Sequence, residues 1–128
     1  RLRQVLDNLV NNAINHTHPE HRLIKLSLAI SPSVLRIKLT DNGAGIAPDK
    51  LERIFDQFVS IETEYATPGT GIGLYLSRII MEDHRGSITA QSQGIGHGST
   101  FIAELPVSAK SYDIYSSHIL MLDLVIPT

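Results

Sequence analysis

"QVLDNLVNNAINH", residues 4–16, holds four of the chain's five asparagines in a stretch whose apolar residues keep helical spacing. Asparagine is a mediocre helix former, because its side chain competes with the backbone for hydrogen bonds, so the cluster calls for a reason other than propensity. On a helical wheel Leu2, Val5, Leu6, Leu9, Val10, Ala13 and Ile14 share one broad face, the expected core face. Gln4, Asn8, Asn11, Asn12 and Asn15 take the other, with Asn8, Asn12 and Asn15 stacked at i, i+4 and i+7. A solvated polar face is the plain alternative for any single asparagine, but such faces usually carry Glu, Lys and Arg. A row of neutral carbonyl oxygens suits a hard divalent cation such as Mg²⁺, which shares oxygen ligands between side chains, water and substrate phosphate. The rest of the chain is therefore read for a phosphate site.

The 128 residues, 42% hydrophobic and 19% charged, fit one globular domain. A net charge of −2 gives no general basic field for nucleic acid or anionic membrane. With no cysteine there is no disulfide framework and no thiolate zinc site. No apolar run is long enough to span a bilayer and no signal-peptide pattern opens the chain. Because it starts inside an amphipathic helix, we expect a domain cut from a longer, cytoplasmic or membrane-attached protein.

After the first helix, "HTHPEHR" (16–22) is a loop, and Ile24, Leu26, Leu28 and Ile30 alternate as a half-buried strand does. A second strand, alternating Leu35, Ile37 and Leu39, runs into the turn "DNGAGI" (41–46). Pro48 suits the first turn of a helix over 48–58 with Leu51, Ile54, Phe55 and Phe58 at helical spacing. Residues 59–68 keep no period and lead into "GTGIGL" (69–74), which opens a helix facing Leu76, Ile79 and Ile80 inward and ending at Gly86 as the expected left-handed cap. Strand-like runs at 87–92 and 99–105 flank the loop "QGIGHG". This order predicts an α+β sandwich, one mixed, mainly antiparallel sheet packed against helices on one face.

Each glycine-bearing segment, 41–46, 69–74 and 96–100, has a plain reading as a tight turn. The middle one directly precedes a helix, where free backbone N–H groups and the macrodipole favour an anion. It is neither a Walker A loop, as no Gly-Lys-Ser/Thr follows, nor a dinucleotide fingerprint.

In this order, the asparagine-striped helix, "DNGAGI", "IFDQF", "GTGIGL" and "GHGST" resemble the successive boxes of the ATP-binding catalytic domain of sensor histidine kinases, in the superfamily shared with gyrase, Hsp90 and MutL. The resemblance covers residues 1–106 and implies the Bergerat fold lacking its first strand, with 107–128 a tail or linker. It implies ATP between the first helix, the "DNGAGI" turn and a lid near 59–69. Asp41 would accept from the adenine amino group, and Gly43 and Gly45 would leave room for the base. Asn12 would bind Mg²⁺, with Asn8, Asn11 and Asn15 beside it, and Gly69, Thr70, Gly71 and Gly73 would meet the phosphates. His16 takes the place of an aromatic beside the nucleotide, Phe55 and Phe58 anchor the lid, and Ile46, Ile72, Leu74, Ser99 and Thr100 complete the ATP-binding set.

By the same resemblance, hydrolysing relatives place a general-base Glu where this chain has Asn8, and an amide takes no proton at neutral pH. The chain is thus expected to hold ATP for phosphoryl transfer to a histidine on a separate helical dimerisation domain, with a response-regulator receiver as the onward partner. That acceptor histidine is usually followed by an acidic residue, and none of His16, His18, His21, His84, His97 or His118 is. Many relatives carry Lys where Asn15 stands and a basic residue at Ser60; each loss would weaken phosphate binding by about tenfold or more. A weakly binding regulatory module, or a serine kinase of the anti-sigma type, therefore stays open. At the end of the chain, 119–127 reads as a strand with Asp123 at the place of a receiver's acceptor, but 16 intervening residues cannot hold a receiver's earlier strands. The strand is expected to pack on this domain or on a partner.

Overall fold

The computed structural model describes residues 1–56, 73–107 and 120–127. In chain order these form α1 (Leu2–Asn15), β1 (Leu23–Ile30), β2 (Val34–Asp41), α2 (Pro48–Leu51), α3 (Gly73–Asp83), β3 (Ser87–Gln91), β4 (Ser99–Pro106) and β5 (Leu120–Pro127). Phe58, the lid region 59–69, Ser60, Gly69, Thr70, Gly71 and Ile72 lie outside the described residues, as do 108–119.

The strands make one sheet in the order β3-β4-β2-β1-β5. Expected as mixed and mainly antiparallel, it is antiparallel at every described pairing. Alternation fixes the register, because a one-residue slip would turn every apolar side chain to the wrong face. Thus Ile24, Leu39, Phe101, Ala103 and Ile88 fall on the buried side. On the other face Arg36 and Glu104 are register partners joined by an ion pair at 3.1 Å. The strand expected near the C-terminus forms β5, pairing with β1 from Leu23↔Pro127 to Ile30↔Leu120.

On the buried face α1 contributes Val5, Leu9 and Ala13, and α3 contributes Ile80 and Met81. The core stripe of α1 is narrower than the wheel implied: Leu2 and Ile14, assigned to it, are 36% and 38% exposed, with Leu6 and Val10 half-buried at its margins. Helix 48–58 also shortens. Beyond Leu51 the bonds from Arg53 N to Lys50 O and Asp56 N to Arg53 O close tight three-residue steps. Ile54 and Phe55 nevertheless reach the core, where Phe55 meets Phe101 edge-to-face at 6.1 Å.

At the end of α3 the left-handed residue is Arg85 (φ 62), not Gly86. Gly86 N donates to Met81 O and Arg85 N to Glu82 O, the paired bonds of a Schellman cap. Gly86 is required for a different reason, since a Cβ there would run into Glu104 O.

Candidate functional site

The site begins where β2 ends. Asp41 is 5% exposed, its Oδ1 accepting from Gly43 N at 2.8 Å and its Oδ2 from Ser99 Oγ at 2.8 Å. Burial pushes this carboxyl above its ordinary value of 3.8, against the opposing pull of Ser99's hydroxyl, the Gly43 and Ser99 backbone donors and the charge of His16. A buried acceptor with two oxygens held in place is suited to a ligand that offers an N–H.

The turn after Asp41 packs main chain against main chain. Ala44 N donates to His16 O at 2.9 Å, Gly96 N to Ala44 O at 2.7 Å and Gly98 N to Gly43 O at 3.1 Å. A Cβ on Gly43 would strike His16 O, one on Gly45 (φ +75) Gly94 O, and one on Gly98 (φ +69) Asp41 O. Among the described residues, a Cβ at Gly43 or Gly45 would thus first meet backbone, with the Asp41 carboxylate also close to Gly43. Ser92 locks the same corner: its hydroxyl accepts from Ile46 N at 3.0 Å and donates to Gly98 O at 2.7 Å. Ile46 itself is core.

The asparagine row divides. Asn8 and Asn12 are half-buried, whereas Asn11 and Asn15 are exposed. Asn8 Nδ2 donates to Gly73 O and to Ser77 Oγ, both at 3.1 Å, tying α1 to the first turn of α3. With both N–H groups engaged, Oδ1 is the Asn8 side-chain atom that, among the described residues, is left to meet a cation or water. Asn12 lies one turn along α1 from Asn8, and its backbone carbonyl takes the Nδ1 of His16 at 2.6 Å. A carbonyl only accepts, so that nitrogen carries the proton. The donors on this wall are neutral oxygens, which fit Mg²⁺ bound by few protein groups and completed by phosphate and water.

Ser99 and Thr100 line a cleft of about 350 Å³ with Thr40, Asp41, Gln91, Ser92, Gln93, His97 and Gly98, where Thr100 Oγ1 meets Thr40 Oγ1 at 3.2 Å. Asp41 belongs to this cleft; the asparagines do not line it. Leu74 packs against the core at the start of α3. Sequence reasoning missed Ser77, Ser92 and Asn42. Ser77 carried a signal, a small polar residue one turn beyond Gly73 on the buried side of α3. Asn42 Nδ2 donates to His21 O at 2.7 Å and its Oδ1 accepts from Leu23 N at 2.9 Å, pinning the α1–β1 loop to the turn.

No helix among the described residues is long and apolar enough to cross a membrane. The family model for histidine kinase-, DNA gyrase B- and HSP90-like ATPases matches residues 1–109. The sensor protein SrrB of Staphylococcus aureus is 40% identical over 109 residues, which are 83% of this chain and 18% of that protein. Among solved structures, the catalytic domain of the histidine kinase ThkA is 35% identical with a TM-score of 0.71, covering 84% of this chain and 67% of that one. Full-length ShkA, in complex with AMPPNP, is 32% identical with a TM-score of 0.68, covering 84% of this chain and 21% of that one. The chain thus spans less than a fifth of the curated relative it matches. By family model, sequence and fold alike, it belongs to the histidine kinase-, DNA gyrase B- and HSP90-like ATPases, as a catalytic domain of the sensor histidine kinase kind.

Proposed function

We propose that the chain binds Mg²⁺-ATP between α1, the 41–46 turn and the segment 59–69, and presents the γ-phosphoryl group to a histidine on a separate helical dimerisation domain. A response-regulator receiver then takes the phosphoryl group onward, and the whole works in the cytoplasm. The observation that carries this reading is the buried Asp41 carboxylate, fixed by Gly43 and Ser99 beside a helix whose half-buried donors are Asn8 and Asn12. Asp41 accepts from the adenine amino group, a recognition that guanine, with a carbonyl at that position, cannot satisfy. Asn12 offers its side-chain oxygen to the metal, and Asn8 holds the start of α3, where the phosphates meet backbone N–H groups. When bound, Mg²⁺ neutralises charge on the transferring phosphoryl group. With an amide at position 8 no general base faces the nucleotide from that turn, so transfer is favoured over hydrolysis.

The deciding experiment titrates ATP and a non-hydrolysable analogue, with and without Mg²⁺, into the parent and Asn12→Ala, then adds a helical-hairpin domain bearing an acceptor histidine. Metal-dependent binding that is lost in Asn12→Ala, followed by transfer, supports the assignment. Binding indifferent to metal and to Asn12 overturns the role of the amide row. Tight binding without transfer overturns the kinase reading, and weak binding without transfer favours the second reading, a weakly binding regulatory module, for which the exposed Asn15 in place of a lysine speaks.

A further inference from the structure

The loop between α1 and β1 brings together His18, Glu20 and His21, whose ligand atoms all lie within 4.8 Å of one another. The backbone imposes this grouping. His21 N donates to His18 O at 3.0 Å, closing a β-turn with Pro19 at its second position, where the fixed φ of proline suits the turn. The two imidazoles at its ends stand with ring centroids 5.0 Å apart. Both flanks are tied down. On one side Arg22 Nε donates to Thr17 Oγ1 at 2.8 Å and Arg22 Nη2 to Ile14 O at 3.2 Å, turning that guanidinium back onto the end of α1. On the other, Asn42 holds His21 O at 2.7 Å.

We propose that His18, Glu20 and His21 form a binding site for a borderline divalent transition metal, with Zn²⁺ the best match. Two imidazole nitrogens and a carboxylate oxygen are zinc donors, and three protein ligands leave a fourth tetrahedral position to water. Ligand atoms around tetrahedral zinc stand roughly 3.3 Å apart, so the three groups, all within 4.8 Å of one another, have to draw together by no more than roughly 1.5 Å. His18 Nδ1 accepts from Glu20 N at 3.1 Å on the exposed side of the turn, so a metal taking that nitrogen competes with this backbone donor. The site is chemically separate from the nucleotide's Mg²⁺, which prefers an all-oxygen shell.

The test is calorimetric titration of the tag-free chain with Zn²⁺ in the presence of excess Mg²⁺ and no nucleotide, alongside Co²⁺ as a spectroscopic reporter of tetrahedral geometry. One equivalent should bind, with a tetrahedral Co²⁺ spectrum. His18→Ala and His21→Ala should each weaken binding by about tenfold or more, Glu20→Gln should weaken it, and His84→Ala should leave it unchanged. Circular dichroism on each variant separates loss of the site from loss of the fold, and His18→Gln supplies a second, milder change. No saturable Zn²⁺ binding, or binding that survives in the His18→Ala, His21→Ala double variant, overturns the proposal.

Discussion

Asp41 carries opposing demands, because its burial resists the ionised form that an N–H ligand wants. Since folding raises its pKa, the folded chain holds this proton more tightly than the unfolded chain. The resulting stability is complete below the ordinary value of 3.8 and is lost as pH climbs through the raised folded value. Asp41→Asn should therefore gain on the parent in urea-melt stability as pH rises above 3.8 and level off once pH passes the raised folded value. The same substitution should weaken ATP by about tenfold or more in equilibrium titration, since a charge-assisted acceptor is gone. Gly98→Ala, which combines a positive φ with an overlap on Asp41 O, should cost about 2 kcal/mol or more by chemical denaturation. The sequence made Asp41 and its glycines visible as a cluster, because a turn that tight has few solutions. It could not tell whether those glycines face ligand or backbone, since the contacts come from residues 16 and 94, which only the tertiary fold brings near.

Among the elements, α1 and the strands were readable because periodicity and burial agree, as in the alternating buried and half-buried residues of β4. Helix ends were less so. Nothing in the local pattern separates a 48–58 helix from Pro48–Leu51 followed by tight turns, since Ile54 and Phe55 bury in either case. Likewise Gly86 suggested itself as the left-handed residue, when a steric demand from β4 keeps it glycine and Arg85 takes the positive φ. Arg85→Gly should accordingly raise stability by about 1 kcal/mol in thermal or urea unfolding, without altering nucleotide affinity. Asn8 and Ser77 link α1 to α3, and a double-mutant cycle with Asn8→Ala and Ser77→Ala should show a coupling of about 0.5–1.5 kcal/mol.

For the whole molecule, β5 makes β1 an interior strand, its register continuous over eight residues. The apolar run at the chain's end announced a strand but not its neighbour, because pairing partners are a property of the sheet. Ending the chain at Pro106 should uncover the backbone of Leu23–Ile30, lower the melting temperature and produce self-association visible by light scattering. A truncated chain that stays monomeric and equally stable would contradict this. The main-chain contacts joining His16, Gly43, Ala44, Gly96 and Gly98 have a further consequence. Amide protons of Ala44, Gly96 and Gly98, though outside any helix or strand, should exchange with deuterium as slowly as those of the central strands and in concert with one another. Three stretches far apart in the chain would then open as one cooperative unit, so that the wall of the pocket persists intact or vanishes whole.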